Sequence, residues 1–228
     1  MQHAPIALEL DDHASSPLAI RTWHLLVLAS LLTLVVMWYG DHFVLTHEVY
    51  VRLRSDRLDL GQVEQQFAAA RAGALRQYLL LPIAVIVRVG FVALTMQLIL
   101  LSAGVDARLS GFFRATLVAY PVLLFSYLVI LVQIGHTPVA QLGSDAMTYL
   151  PGSLVTIVPG AHGFDPGIQR LLRALNLYEV AWCALMYAAV RRYAGLSSRA
   201  AAGGIGATWL LLTALQCAVI AYFAHLSA

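Results

Sequence analysis

The sequence predicts an all-α membrane protein with five transmembrane helices and an extramembrane helical extension between the first and the second. Two totals and one pattern carry this reading. The 228-residue chain is 60% hydrophobic and 11% charged, with a mean hydropathy of +0.76, whereas soluble domains carry about 25% charged residues. Five apolar runs approach the ~20 residues that a bilayer crossing requires, and the charged residues gather in the segments between them.

Residues 1–22 form a polar N-terminal tail with Glu9, Asp11 and Asp12 and no basic stretch, which is a poor secretory signal. The domain that follows, residues 23–228, therefore opens on an uncleaved first span over residues 23–44. Trp23, Trp38 and Tyr39 lie near its ends, where amphipathic rings favour the headgroup zone.

Thr46 to Arg76 is charged, with Arg52, Arg54, Asp56, Arg57, Asp59 and Glu64. Asp59 suits an N-cap, and Val63, Phe67, Ala70 and Leu75 recur at helical spacing. This helix is expected to run straight into the second span, residues 78–102, as one long element projecting from the bilayer. Pro82 within it predicts a kink.

A short loop with Asp106 and Arg108 precedes the third span, residues 113–134, which contains Pro121. Residues 135–167 then carry no basic residue and four prolines; their apolar piece Leu154–Val158 is too short to cross, so short interfacial helices are expected. The fourth span is placed at 171–190 and the fifth at 205–223. Gly203, Gly204 and Gly206 open the last one and allow close helix approach.

Five crossings put the termini on opposite sides. Both short loops are basic, at Arg108 and at Arg191 to Arg199, and short loops weigh most in setting orientation. The N-terminus is therefore expected on the cytoplasmic side.

Two charges lie deep inside apolar segments, Arg88 and Glu179. Measured from Tyr78 and Arg170, each falls ~14–15 Å along its helix, so the two match in depth. A charge at mid-bilayer needs a partner. They are expected to form a structural intramembrane ion pair, a pin between the second and fourth spans. A proton or substrate relay is the competing reading, but it needs a chain of acids or histidines, and no other carboxylate lies at that depth.

Other chemistry is weakly signalled. Asp41, His42, His47 and Glu48 cluster near the end of the first span, with His136 and His162 on the same side, yet their spacing matches no metal motif. No HExxH, CxxC or paired aspartate occurs, and Ser144, Asp145 and Ser153 sit in a Gly/Pro-rich loop without an argued base. Cys183 and Cys217 read as buried apolar thiols. All fourteen basic residues are Arg, and the net charge of +2 leaves no patch able to track nucleic acid. No enzyme, cofactor or metal site is expected.

Three pieces resemble the Yip1 family of five-span membrane proteins in its bacterial form. They are Gly111-Phe112-Phe113-Arg114-Ala115-Thr116 leading to Tyr120-Pro121, Leu175-Asn176-Leu177-Tyr178-Glu179-Val180, and Ala194-Gly195-Leu196-Ser197-Ser198 leading to Trp209. They lie between Gly111 and Leu215, a little under half the chain. The family's usual aromatic at the place of Ala181 comes one position later, as Trp182, and Thr46 to Arg76 maps onto nothing in the family. The resemblance implies a non-catalytic accessory or scaffold subunit in the bilayer that binds another integral membrane protein, such as an ABC-type permease or its adaptor. Docking would then fall to Arg52, Arg54 and Arg57. A small channel or transporter, with a homo-oligomeric pore, is the alternative; the odd span number and absent inverted repeat count against it.

Overall fold

A computed structural model describes residues 21–54, 58–143, 146, 150–160, 163–164 and 166–226. Among these the chain is helical throughout: α1 (Thr22–Tyr39, prolonged by a π-helical turn Gly40–Val44), α2 (His47–Arg54), α3 (Leu60–Ser102), α4 (Leu109–His136), α5 (Leu154–Ile157), α6 (Pro166–Ala174), α7 (Leu177–Tyr193) and α8 (Ser198–Leu226). Four segments are long and apolar enough to cross a membrane: Thr22–Val44, Leu60–Ser102, Leu109–His136 and Ser198–Val219.

The long continuous helix is present. Asp59 is the extended-backbone N-cap residue of α3, which continues for 43 residues through Pro82 to Ser102, about 65 Å at 1.5 Å per residue. Its apolar part begins near Tyr78, whose hydroxyl donates to an Asp41 carboxylate oxygen at 2.8 Å. That bond ties α3 to the end of the first span. Beyond it, α2 packs on α3 and α4: Val49 and Leu53 join Leu131, Ile134 and Leu142 in one buried cluster, while the rings of Tyr50 and His47 meet Phe67 of α3, tilted and edge-on, at centroid distances of 5.3 and 5.1 Å.

Two further clusters hold the spans together. Ala29 of α1 meets Leu81, Val85 and Val89 of α3 and Leu117, Tyr120 and Leu124 of α4. The larger cluster joins Ala93, Met96 and Leu100 of α3 to Phe112, Ala115 and Ala119 of α4, Trp182, Met186 and Val190 of α7, and Ala201 and Ile205 of α8. Small residues set the closest approaches, because between apolar helices in lipid the attraction comes from packing and not from water. A Cβ on Gly204 would come within 3.0 Å of Leu100.

Two expectations are corrected. The helix placed over 171–190 is two helices, α6 and α7, broken at Leu175–Asn176, so Glu179 stands in the first turn of α7 and not mid-helix. Of the three glycines opening α8, only Gly204 touches a neighbour; Gly203 and Gly206 face open space.

Outward-facing leucines, valines and phenylalanines on α1, α3, α4 and α8 leave the bundle apolar outside. In a water-soluble domain such a surface would be a liability; around a bundle of spans it is the face that meets acyl chains.

Candidate functional site: a cavity between α3, α7 and α8

The break between α6 and α7 builds the site. Non-helical backbone within a membrane persists only where its polar groups are satisfied by protein. Here Gly152–Leu154 does this: the Leu154 amide donates to the Leu175 carbonyl at 2.9 Å, and the Leu177 amide to the Gly152 carbonyl at 3.2 Å. Gly152 adopts φ +79°, a conformation that suits glycine. Ser153, bridged to Asn176, is wholly buried. Asn176 then caps α7, its Oδ1 accepting from the Glu179 amide at 2.9 Å while its Nδ2 donates to the Arg173 carbonyl at 3.0 Å. An acidic residue in a first helical turn also faces the positive end of the helix dipole.

Glu179 thus points into a cavity of about 250 Å³. Arg88, Phe91 and Val92 of α3 form one wall, at i, i+3 and i+4. From α7 come Glu179 and Trp182, and from α8 Trp209, Thr213 and Gln216 at i, i+4 and i+7, one helical face. Ala174 closes the α6 side and Leu123 the floor.

The two charges share this space. Arg88, Glu179 and Trp209 all line the same space. Arg88 and Glu179 make no direct ion pair within 4.0 Å; the guanidinium carbon stands 5.8 Å from the ring centroid of the buried Tyr120. Trp182 is 4% exposed, and its indole N–H has no hydrogen-bond partner. The arrangement is therefore a pair of opposite charges on a lining that is otherwise mostly apolar, with Thr213, Gln216 and two indoles beside them.

The remaining sequence candidates have other places. Arg54 donates to Gln66 at 3.3 Å and lies 5.3 Å over Tyr50, on the exposed outer face of the α2–α3 arm. Arg52 is exposed on the same arm and is engaged by a partner, and Arg57 lies outside the described residues. Asp41 is bound to Tyr78, His42 Nδ1 to the Trp38 carbonyl at 3.1 Å, and His47 to Phe67. His162, Ser144 and Asp145 lie outside the described residues; among the described ones, no three His, Cys, Asp or Glu groups gather as a metal site. Cys183 and Cys217 are half-buried free thiols.

Sequence reasoning missed Trp182, Trp209, Thr213 and Gln216 as neighbours of the two charges in one cavity. The signal was present for α8: a polar Thr and Gln in an apolar run, in helical phase with a tryptophan. For Glu179 it was Asn-x-x-Glu, an N-cap followed three residues later by an acid.

Four helices long and apolar enough to cross a membrane, packed as a bundle with this cavity among them, define an integral membrane protein of helical-bundle type. Compared with models of known protein families, with curated proteins and with solved structures, the chain matches none.

Proposed function

We propose that the protein is a non-catalytic accessory or scaffold subunit of a larger membrane complex, Yip1-like in its second half. The observation that carries this reading is the α2–α3 arm. Residues 60–77 extend ~27 Å beyond the apolar part of α3, nearly all of them exposed apart from Val63. A helix so poor in core contacts gains little from its own fold, yet it is continuous with a span and braced by α2. Arg52, Arg54, Glu64 and Arg71 give it a charged outer face suited to a protein partner. An ABC-type permease or its adaptor remains the partner class that the resemblance implies.

Packing supports the resemblance at one point. Phe112, Ala115, Leu196 and Ile205 meet in one core, with Ala194 and Trp209 against it. The first and third resembling pieces are thereby explained by contact with each other.

Five crossings, with the N-terminus in the cytoplasm of a bacterial inner membrane, complete the proposal. α4 ends on the arm side and α8 begins on the other, where Gly111 abuts Tyr193 and the Gly195–Ser197 turn leads onward. A crossing by α7 would return the chain between them. The 17 residues of α7 span ~25 Å of the ~30 Å hydrocarbon layer, leaving α6 in the outer boundary zone.

The test is purification from native membranes. A different membrane protein should co-purify in fixed ratio and be lost from Arg52→Ala/Arg54→Ala protein that still inserts. Unchanged recovery removes the arm as a docking surface. The cavity favours a second reading, a small transporter, which solute flux through the protein reconstituted alone would support.

A further inference from the structure

We propose that the cavity between α3, α7 and α8 binds a zwitterion carrying an oxyanion and a primary ammonium, the chemistry of a phosphoethanolamine headgroup entering from the bilayer. This stands apart from the docking role of the arm. The first argument is charge. Arg88 and Glu179 both line the space without touching each other within 4.0 Å. In a low-dielectric surrounding each charge needs a counter-charge. An anion alone would satisfy Arg88 and be repelled by Glu179, and a cation alone would do the reverse. A zwitterion laid between them satisfies both, with the guanidinium on the oxyanion as a two-pronged donor and the carboxylate accepting from the ammonium.

Access and size select the source. Two residues of the cavity rim, Phe91 on α3 and Leu215 on α8, are 51% and 48% exposed on the apolar outside of the bundle. The mouth thus opens sideways onto acyl chains. A volume of about 250 Å³ falls below the ~300–1,000 Å³ of sites that enclose drug-sized ligands. It admits a headgroup and leaves lipid tails outside along Phe91 and Leu215. Ala174, at the end of the amphipathic α6, forms the edge nearest the boundary zone from which a headgroup would come.

Selectivity follows from hydrogen bonding. A quaternary choline has no N–H to give Glu179, and a glycerol headgroup has no positive charge. The indoles add ring faces that attract an ammonium, and Trp182 holds a buried N–H without a partner.

Native mass spectrometry of the full chain, released from micelles holding equal amounts of phosphatidylethanolamine, phosphatidylcholine and phosphatidylglycerol, tests this. Retention of the ethanolamine lipid should exceed the others about tenfold, the loss expected of one charge-assisted hydrogen bond. Glu179→Gln should abolish that preference, Arg88→Gln should lower all three lipids, and Arg88→Lys should retain them, with helicity and elution checked in parallel. Free O-phosphoethanolamine is titrated in a second arm; binding there with no lipid preference keeps the zwitterion site and assigns its occupant to solution. Equal retention of the three lipids by the unmodified protein, with no binding of the free compound, overturns the proposal, and so does a preference that survives Glu179→Gln. The comparison on unmodified protein needs no variant to fold.

Discussion

A Cβ placed on Gly111 would lie 2.7 Å from the carbonyl oxygen of Tyr193. The start of α4 and the end of α7 are therefore in backbone contact, closer than any side chain permits. Gly111→Val should force the two helices apart at a cost of about 1–3 kcal/mol, read as a lowered thermal midpoint in detergent. Gly203→Val, which meets open space, is the matched control. Equal midpoints for the two variants would show that the contact does not hold α4 to α7.

Asn176→Ala removes both the acceptor for the Glu179 amide and the donor to the Arg173 carbonyl. Loss of an N-cap costs ~1 kcal/mol. Hydrogen exchange at the first amides of α7 should accelerate, with α8 unaffected. Unchanged protection across α7 would mean that Gly152–Leu154 alone fixes the break.

Charge removal at the cavity should be coupled. Glu179→Leu leaves Arg88 facing the cavity without its opposite charge, and an uncompensated charge at mid-bilayer costs about 3 kcal/mol on insertion scales. The double change Arg88→Leu/Glu179→Leu should give more folded protein than Glu179→Leu alone. Additive losses would show that the two side chains do not sense each other, despite the cavity they share.

Orientation is open to a direct experiment. A reporter active only in the cytoplasm, fused after Ala228, should stay silent, while the same reporter placed in the loop at Asp106 should be active. The opposite pattern would invert the membrane orientation argued from Arg108 and Arg191 to Arg199.

Local chemistry made much of the fold readable. The N-cap at Asp59, the helical phase through Val63 and Phe67 and the apolar run to Ser102 are consecutive features, and α3 follows them. The break at Leu175–Asn176 was hidden for a physical reason. Leu171 to Val190 reads as one largely apolar stretch despite Arg173, Asn176 and Glu179, whereas the interruption depends on hydrogen bonds from Gly152–Leu154, more than twenty residues earlier. Arg88 and Glu179 stood out because charges are rare in such runs. Their indole neighbours did not, since a tryptophan in an apolar helix reads equally as packing. Which of three glycines touches α3 depends on the rotation of α8, a property of the assembled bundle.

The 43-residue α3 makes the protein a lever. Its outer turns form the arm, and Arg88 lies on the same rod, 34 residues before which the arm helix α2 ends at Arg54. Where its backbone hydrogen bonds are unbroken, a helix carries a tilt along its length. The rod has one soft place, Pro82, which lacks an amide to bond the Tyr78 carbonyl. That place lies between the arm and the cavity, six residues from Arg88. A bend at Pro82 would therefore change the angle between the exposed turns and the wall that carries Arg88.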